Sequence, residues 1–172
     1  VRSMSFGAGS TINKLTASDS LRTLYFESCG NITLNNIMID DKMLKDNGGY
    51  NITNITVKDS NGLNHDDNFK DFIISWMNYC IKNNKSIGRT LILNGIKWSN
   101  VSINELQTIL NFYNGEGNNK PQTCTLSGEI YLMKNINITT REYEVIETFK
   151  KTFGVNVVIT SPIVLIDDIN DI

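Results

Sequence analysis

The chain has 172 residues, of which 40% are hydrophobic and 20% charged, and its formal net charge is −2. These values are typical of one globular domain with a sizeable core and exclude a disordered chain. A slightly acidic chain offers no basic field for a nucleic-acid backbone, and no apolar run approaches the roughly 18 residues of a membrane helix, so we expect neither nucleic-acid binding nor membrane insertion.

The first predicted strand follows a segment, residues 1–18, that we interpret as an irregular lead-in. Leu21–Glu27 alternates apolar Leu24 and Phe26 with polar residues, which is typical of a strand with one buried face. Gly30 ends it. A weak helix or loop is predicted over residues 34–45.

The strongest predicted helix follows the second strand. Ile52–Lys58 has the alternation of a strand, with Ile55 and Val57 facing inward. The helix covers about Asp66–Asn83, where apolar residues recur at three- and four-residue spacings. Its first residue, Asp66, or the next acidic residue is expected to cap it.

The third strand–helix unit has the clearest helix start in the sequence. Arg89–Asn94 is predicted as a strand that Gly95 ends. Ser102 and Glu105 have the spacing of a capping box, in which the side chain of each residue accepts a hydrogen bond from the backbone amide of the other.

The fourth unit repeats this plan. Its strand is predicted to begin near Gln122 and to end at Gly128, before a separate extended run, Ile130–Met133. Thr139 and Glu142 form a second capping box. A fifth strand is expected over Val155–Thr160, and Gly154 is the expected helix stop before it.

Strand units therefore recur at intervals of about 31 to 36 residues. Strands that alternate with helices are expected to lie parallel, in chain order, with right-handed crossovers. Because one strand face is polar, helices are expected on the other face alone. The inward pairs are Leu24 and Phe26, Ile55 and Val57, Leu91 and Leu93, Cys124 and Leu126, and Val157 and Ile159.

The first unit carries a family likeness. Leu21-x-x-Leu24-x-Phe26-x-x-Cys29 resembles the Leu-x-x-Leu-x-Leu-x-x-Asn/Cys signature of leucine-rich repeats, and Ile52-x-x-Ile55-x-Val57 has the same form. The resemblance implies an α/β fold: a short right-handed solenoid over residues 19–161, with a parallel sheet and helices on its outer face. Only Cys29 matches the Asn or Cys of the ninth position, so we expect the Asn ladder of the family to be absent.

The resemblance also implies where a partner binds, because families of this type generally bind partners on the concave strand face. The outward residues are expected to form three rows: Thr23, Asn54, Thr90 and Thr123; Tyr25, Thr56, Ile92 and Thr125; Glu27, Lys58, Asn94 and Ser127. The alternative is that these are ordinary strand-forming residues on a solvated face, with Glu27 and Lys58 as a weak surface pair.

No residue pattern predicts catalysis, a metal or a cofactor. His65 is the single histidine and lies in no nucleophile or metal-ligand spacing, so a helix-start position is expected. The three cysteines are far apart and are expected to be buried free thiols. Trp76 belongs to the predicted core, whereas Trp98, in a predicted turn, is a candidate contact residue.

These features predict a non-enzymatic structural or recognition module of a larger assembly. The final unit is similar in style to repeats of phage tail or virion proteins and of bacterial surface proteins. We therefore expect a virion component that binds proteins of its assembly or a host-surface receptor, or alternatively a bacterial cell-surface adhesion domain. We interpret the chain as a piece of a longer protein, with residues 162–172, which include a strand-like run at Ile163–Ile166, as a linker to a following segment.

A small flavodoxin-like enzyme domain is a second alternative. Helices would then cover both faces of the sheet, and the site would lie beyond the carboxyl ends of the strands. The candidate loops for that site are residues 27–30, 59–65 and 94–98.

Overall fold

The computed structural model describes residues 2–9, 20–29, 49–115, 119–133, 137–159 and 164–166. The weak helix or loop predicted at residues 34–45 lies outside the described residues. The described elements are, in chain order, β1 (Ser3–Phe6), β2 (Thr23–Glu27), a 3-10 turn (Gly49–Asn51), β3 (Asn54–Lys58), α1 (Asn61–Asn64), α2 (Asp67–Lys82), β4 (Thr90–Val101), α3 (Ile103–Asn114), β5 (Thr123–Leu132), β6 (Asn137–Thr139), α4 (Thr140–Phe153), β7 (Asn156–Val158) and β8 (Val164–Ile166).

The main sheet contains six parallel strands in the order β1-β2-β3-β4-β5-β7. Strands β6 and β8 form a separate parallel pair. The predicted α/β class with a parallel sheet is confirmed, and described helices connect β3 to β4, β4 to β5 and β5 to β7. Among the described strands, neighbours in the main sheet also follow one another in the chain, except that β6 of the small sheet lies between β5 and β7.

The core lies on one face of the main sheet. In β2 the inward residues Leu24 and Phe26 are almost wholly buried, while Thr23 and Tyr25 between them are partly accessible. The inward residues of β3, β4 and β5 join the apolar stripe of α2 and the buried face of α3 in one hydrophobic cluster. Period-2 alternation in the strands therefore separates a helix-covered face from an accessible one.

The predicted helix starts are confirmed. Asp66 caps α2 by accepting hydrogen bonds from two backbone amides of its first turn. Ser102 and Glu105 form the capping box of α3, and Thr139 and Glu142 form that of α4. These caps fix where each helix leaves the sheet edge.

Strands β4 and β5 continue past the glycines that were predicted to end them. Asn94 pairs with Ser127 and Ile96 pairs with Gly128, so Gly95 is the extra residue of a bulge. Its φ of +87° allows the strand to kink and then to resume pairing. The predicted strand ends at Gly95 and Gly128 were wrong, and the run from Ile130 is the second half of β5.

A left-handed backbone residue recurs at one position of four successive units. It lies four residues after the first inward strand residue, at Ser28, Asp59, Gly95 and Gly128. A residue with positive φ redirects the chain after an extended segment, and non-glycine residues there are uncommon. The repetition predicted from side chains is thus also present in the backbone.

Buried polar groups join the carboxyl ends of the first four strands. The Cys29 thiol donates to the Gly7 carbonyl (3.4 Å), the Cys29 amide donates to Ser60 Oγ (3.1 Å), and Asn64 Nδ2 donates to the Asn94 carbonyl (2.8 Å). Ser60 occupies the ninth position of the second unit. The Asn ladder of the family is absent from these units, as predicted, since their ninth positions hold Cys29 and Ser60, whose side chains supply the hydrogen bonds between neighbouring strand ends instead.

Two short strands lie in the predicted lead-in and in the predicted linker. Residues Ser3–Phe6 of the lead-in pair with β2, and Phe6 stacks on Phe26 with ring centroids 5.1 Å apart. Residues Val164–Ile166 of the predicted linker form β8. The strand β1 was not predicted, because four residues of alternation are too short a signal, whereas β8 falls within the strand-like run predicted at Ile163–Ile166.

Candidate binding face

The twelve predicted site residues lie together on the accessible face of the main sheet, which we call the open face. Their register across β2, β3, β4 and β5 pairs them in the three predicted rows. Neighbouring strands lie about 4.8 Å apart, so each row presents closely spaced side chains. Whether this face binds a partner stays a prediction.

The first two rows carry hydroxyl, amide, phenol and aliphatic groups but no charge. At their centre Thr56 is only 4% exposed, and its hydroxyl donates to Asn54 Oδ1 at 3.0 Å. Thr125, in β5, the last of the four strands, is exposed. This part of the open face is uncharged, and the strands hold its residues in place. The exposure of its side chains ranges from almost none at Thr56 to full exposure at Thr125.

Charge enters the open face in the third row. Glu27 and Lys58 are register partners, yet Glu27 Oε2 accepts a hydrogen bond from the Tyr25 hydroxyl at 3.0 Å. The Lys58 amine lies 6.0 Å from the centroid of the Tyr25 ring. The hydrogen bond to Glu27, followed by desolvation and the carboxylate charge, raises the pKa of Tyr25. The simple surface pair expected here is therefore a three-residue cluster that fixes the ring of Tyr25.

The open face extends beyond the predicted rows. Lys97, Glu129 and Asn156 are register partners across β4, β5 and β7. The Tyr131 hydroxyl donates to Glu129 Oε2 at 2.7 Å, and this bond is the first cause of the raised pKa of Tyr131. Sequence reasoning missed these residues because it ended both strands at glycine. The Glu-x-Tyr spacing, the reverse of Tyr25-x-Glu27, was a signal that could have revealed them.

Both tryptophans are core residues. Trp76 is wholly buried, as predicted, and its indole N–H donates to the Ile52 carbonyl at 2.9 Å. Trp98 is also wholly buried, so its predicted role in a surface contact was wrong. The error has the same origin as the misplaced strand end: Trp98 lies within β4 opposite Ile130, on the core side.

His65 lies between two helices. It is the residue that ends α1, and it immediately precedes Asp66, the cap of α2. Within the described ranges no three or more His, Cys, Asp or Glu side chains lie close enough together to hold a metal ion. The described helices also include none that is long and apolar enough to span a bilayer.

The three cysteines are buried free thiols, as predicted. Burial raises the pKa of Cys80 to about 11, although the nearby charges of Arg89 and Lys85 oppose the shift. Burial also raises the pKa of Cys124 to about 12. Since the thiolate is the reactive form, neither residue is an activated nucleophile.

Cys80 and Cys124 are expected to resist alkylation in the native protein at mildly alkaline pH and to react fully after unfolding. Because folding raises both pKa values, the thiols stabilise the native state below their ordinary pKa, and this contribution is lost as the pH rises toward about 11. Peptide mass spectrometry after a timed iodoacetamide pulse measures each site. Rapid native labelling of Cys80 would contradict its burial.

Comparisons of the chain with protein-family models, with curated proteins and with solved structures found no match. The residues of the open face are consequently the basis for assigning a function.

Proposed function

We propose that the chain is a non-enzymatic recognition module of the leucine-rich-repeat type whose open face binds a protein partner in a larger assembly. The observation that carries the proposal is the register of the three rows, which continues without a slip across four neighbouring strands. Such a regular face needs little ordering on binding, because the strands already hold its side chains.

Three features support a solenoid. The strands of the main sheet follow chain order, their alternation leaves one face accessible, and a left-handed residue recurs at the same place in four units. The buried ladder through Cys29 and Ser60 joins successive units through their backbones. Right-handed crossovers are the expected connection between such parallel strands.

The charge pattern of the open face supports a partner with a mainly neutral contact surface. The first two rows are uncharged, so affinity there would come from hydrogen bonds and from apolar contact with Tyr25 and Ile92. The third row places Glu27 beside Lys58, and such rim charges contribute mostly to orientation and association rate.

A phage virion is the assembly that we favour, on the similarity in style of the final unit to tail and virion repeats. A bacterial cell surface is the second candidate on the same basis. The flavodoxin-like enzyme is the weaker alternative. It needs helices on both faces and a site at the carboxyl ends of the strands, where Ser60 and Asn64 instead bond to backbone groups.

Site-specific photocrosslinking tests the proposal. A benzophenone amino acid at exposed Thr125 is expected to cross-link one specific partner in the native assembly, whereas the same group at exposed Glu144 on α4 should not. A Lys58→Glu change in the Thr125 cross-linking chain should reduce the yield several-fold. Particle purification followed by mass spectrometry tests the virion assignment.

Equal cross-linking from Thr125 and Glu144 would remove the open face as the binding surface. Absence of the chain from purified particles, with specific cross-linking from Thr125 at the cell surface, would transfer the assignment to the bacterial surface. Specific nucleotide or phosphate binding in a thermal-shift screen would favour the enzyme.

A further inference from the structure

The main sheet has a vacant position beside the first half of β5. The next strand in the sheet, β7, pairs with β5 only from Glu129 onward. No described strand pairs with the outer side of residues 123–128, and we call this stretch the vacant edge of β5. The earlier strands all begin at the level of this edge, as successive register partners: Ser3, Thr23, Asn54, Thr90 and Thr123.

The backbone groups at the vacant edge belong to Cys124 and Leu126. In a parallel ladder, successive residues direct their backbone groups to opposite neighbours, and of two register partners only one faces the other strand. The Thr90 amide donates to the Thr53 carbonyl at 2.8 Å, so Thr90 faces β3 and Leu91 faces β5. Since Leu91 and Cys124 are register partners, Cys124 and, two residues on, Leu126 face away from β4. Such an edge is a template for a strand of another chain.

Strand β1, at the opposite end of the main sheet, has an edge in the matching phase. The Arg2 carbonyl accepts a hydrogen bond from the Thr23 amide at 3.0 Å, so Arg2 faces β2. Ser3 and Ser5 consequently direct their backbone groups away from β2, where no described strand pairs with them. A strand that continued the register beyond β5 would need its outward groups at these two positions, opposite Thr123 and two residues later.

The side chains and the length of β1 also fit the vacant edge. Placed in register there, Met4 and Phe6 would extend the apolar row of β5 on the core side, and the two serines would extend its threonine rows on the open face. Met4 and Phe6 are only partly buried, so pairing would remove more of their apolar surface from water. The four residues of β1 fit beside residues 123–128 without reaching β7.

We propose that the vacant edge of β5 binds β1 of a second copy of this chain, with Ser3 opposite Thr123 and Ser5 opposite Thr125. The contact joins two different surfaces, so each copy keeps one edge of each kind for a further copy and the assembly grows head to tail. A contact through one short strand is smaller than a standard protein interface, so assembly depends on concentration. This self-association is separate from the partner binding proposed for the open face.

Sedimentation velocity of the full chain over a range of concentrations tests the proposal. The average mass of the native chain is expected to rise with concentration. Ser5→Pro removes the outward amide of β1 but none of its bonds to β2, because proline is tolerated on the free side of an edge strand. It should weaken association by about tenfold or more, whereas Ser5→Ala, which keeps the amide, should associate as the native chain does. Circular dichroism verifies that each variant is folded.

Cysteine cross-linking tests the register. A short bismaleimide should link Ser5→Cys to Thr125→Cys when the two variants are mixed, and should link neither variant to itself, because the two positions meet only between copies. The three native thiols are buried and should not react. Ser5→Cys mixed with Glu144→Cys, at an exposed site on α4, gives the background. A native chain that stays monomeric at every concentration would overturn the proposal. So would association unchanged in Ser5→Pro, or cross-linking in the Thr125→Cys mixture no greater than this background.

Discussion

Replacing Gly128 by alanine is expected to lower the free energy of unfolding by about 3 kcal/mol or more. A β-carbon on Gly128 would lie 2.2 Å from the carbonyl oxygen of Ile96 and 2.6 Å from its amide nitrogen. Both are backbone atoms of β4, and Ile96 pairs with Gly128, so neither can move without breaking the ladder between β4 and β5. The φ of +124° at Gly128 adds backbone strain for any other residue.

Gly95→Ala is the matched control for Gly128→Ala. Gly95 also has positive φ, at +87°, but a β-carbon there would meet no atom within 4 Å. Gly95→Ala should therefore lower the free energy of unfolding only by the strain of alanine at positive φ, which is about 1 kcal/mol. Urea unfolding, followed by the fluorescence of the two buried tryptophans, gives both values. Equal losses in the two variants would show that the close approach of β5 to β4 is not what requires a glycine.

The strand register was predictable because its physical signal is redundant. A strand has a period of two residues, so one buried pair, such as Leu24 and Phe26, fixes which residues face outward. The buried pairs of successive units recur at similar intervals, so they align when the strands are placed side by side. The rows of outward residues follow from that alignment, without any knowledge of contacts. The capping boxes were predictable for a similar reason, since the serine or threonine and the glutamate of each box must satisfy each other's backbone amides.

Features that depend on a distant partner were not predictable. Gly95 and Gly128 were interpreted as strand ends, because glycine in a sequence looks the same at a stop and at a bulge. Only the pairing between the strands distinguishes the two, because Asn94 pairs with Ser127 and Ile96 with Gly128. Trp98 was misplaced as a consequence. The hydrogen bond from the Cys29 amide to the Ser60 hydroxyl was not predicted, because the two residues lie 31 positions apart in the chain.

Glu105→Gln is expected to lower the free energy of unfolding by about 2–3 kcal/mol, well beyond the effect of a weakened helix cap. The Lys70 side chain is 7% exposed, and its amine lies 3.1 Å from Glu105 Oε2 and 3.2 Å from Asp71 Oδ1. Asp71 is 65% exposed, so Glu105 is the carboxylate that compensates the buried charge. Glutamine retains the shape of the side chain but leaves that charge without its main partner.

The pH dependence of Glu105→Gln provides a second signature. Burial alone lowers the pKa of Lys70, but the hydrogen bonds and charges of Glu105 and Asp71 outweigh it, and the net pKa is raised. The ion pair therefore stabilises the native chain fully below the ordinary lysine pKa, and its contribution is lost as the pH rises through the raised value. The difference in stability between the native chain and Glu105→Gln should consequently shrink in strongly alkaline buffer.

Glu142→Gln is the matched control, since Glu142 has the same place in the capping box of α4, and glutamine serves in such boxes. Its expected cost is about 0.3 kcal/mol. Lys70→Met removes the buried charge while leaving Glu105 bonded to the Ser102 amide, so it should cost less than Glu105→Gln. The double variant should be no less stable than Glu105→Gln alone, because the methionine removes the charge that the glutamine leaves uncompensated. Equal losses in Glu105→Gln and Glu142→Gln would mean that Lys70 is sufficiently solvated without Glu105.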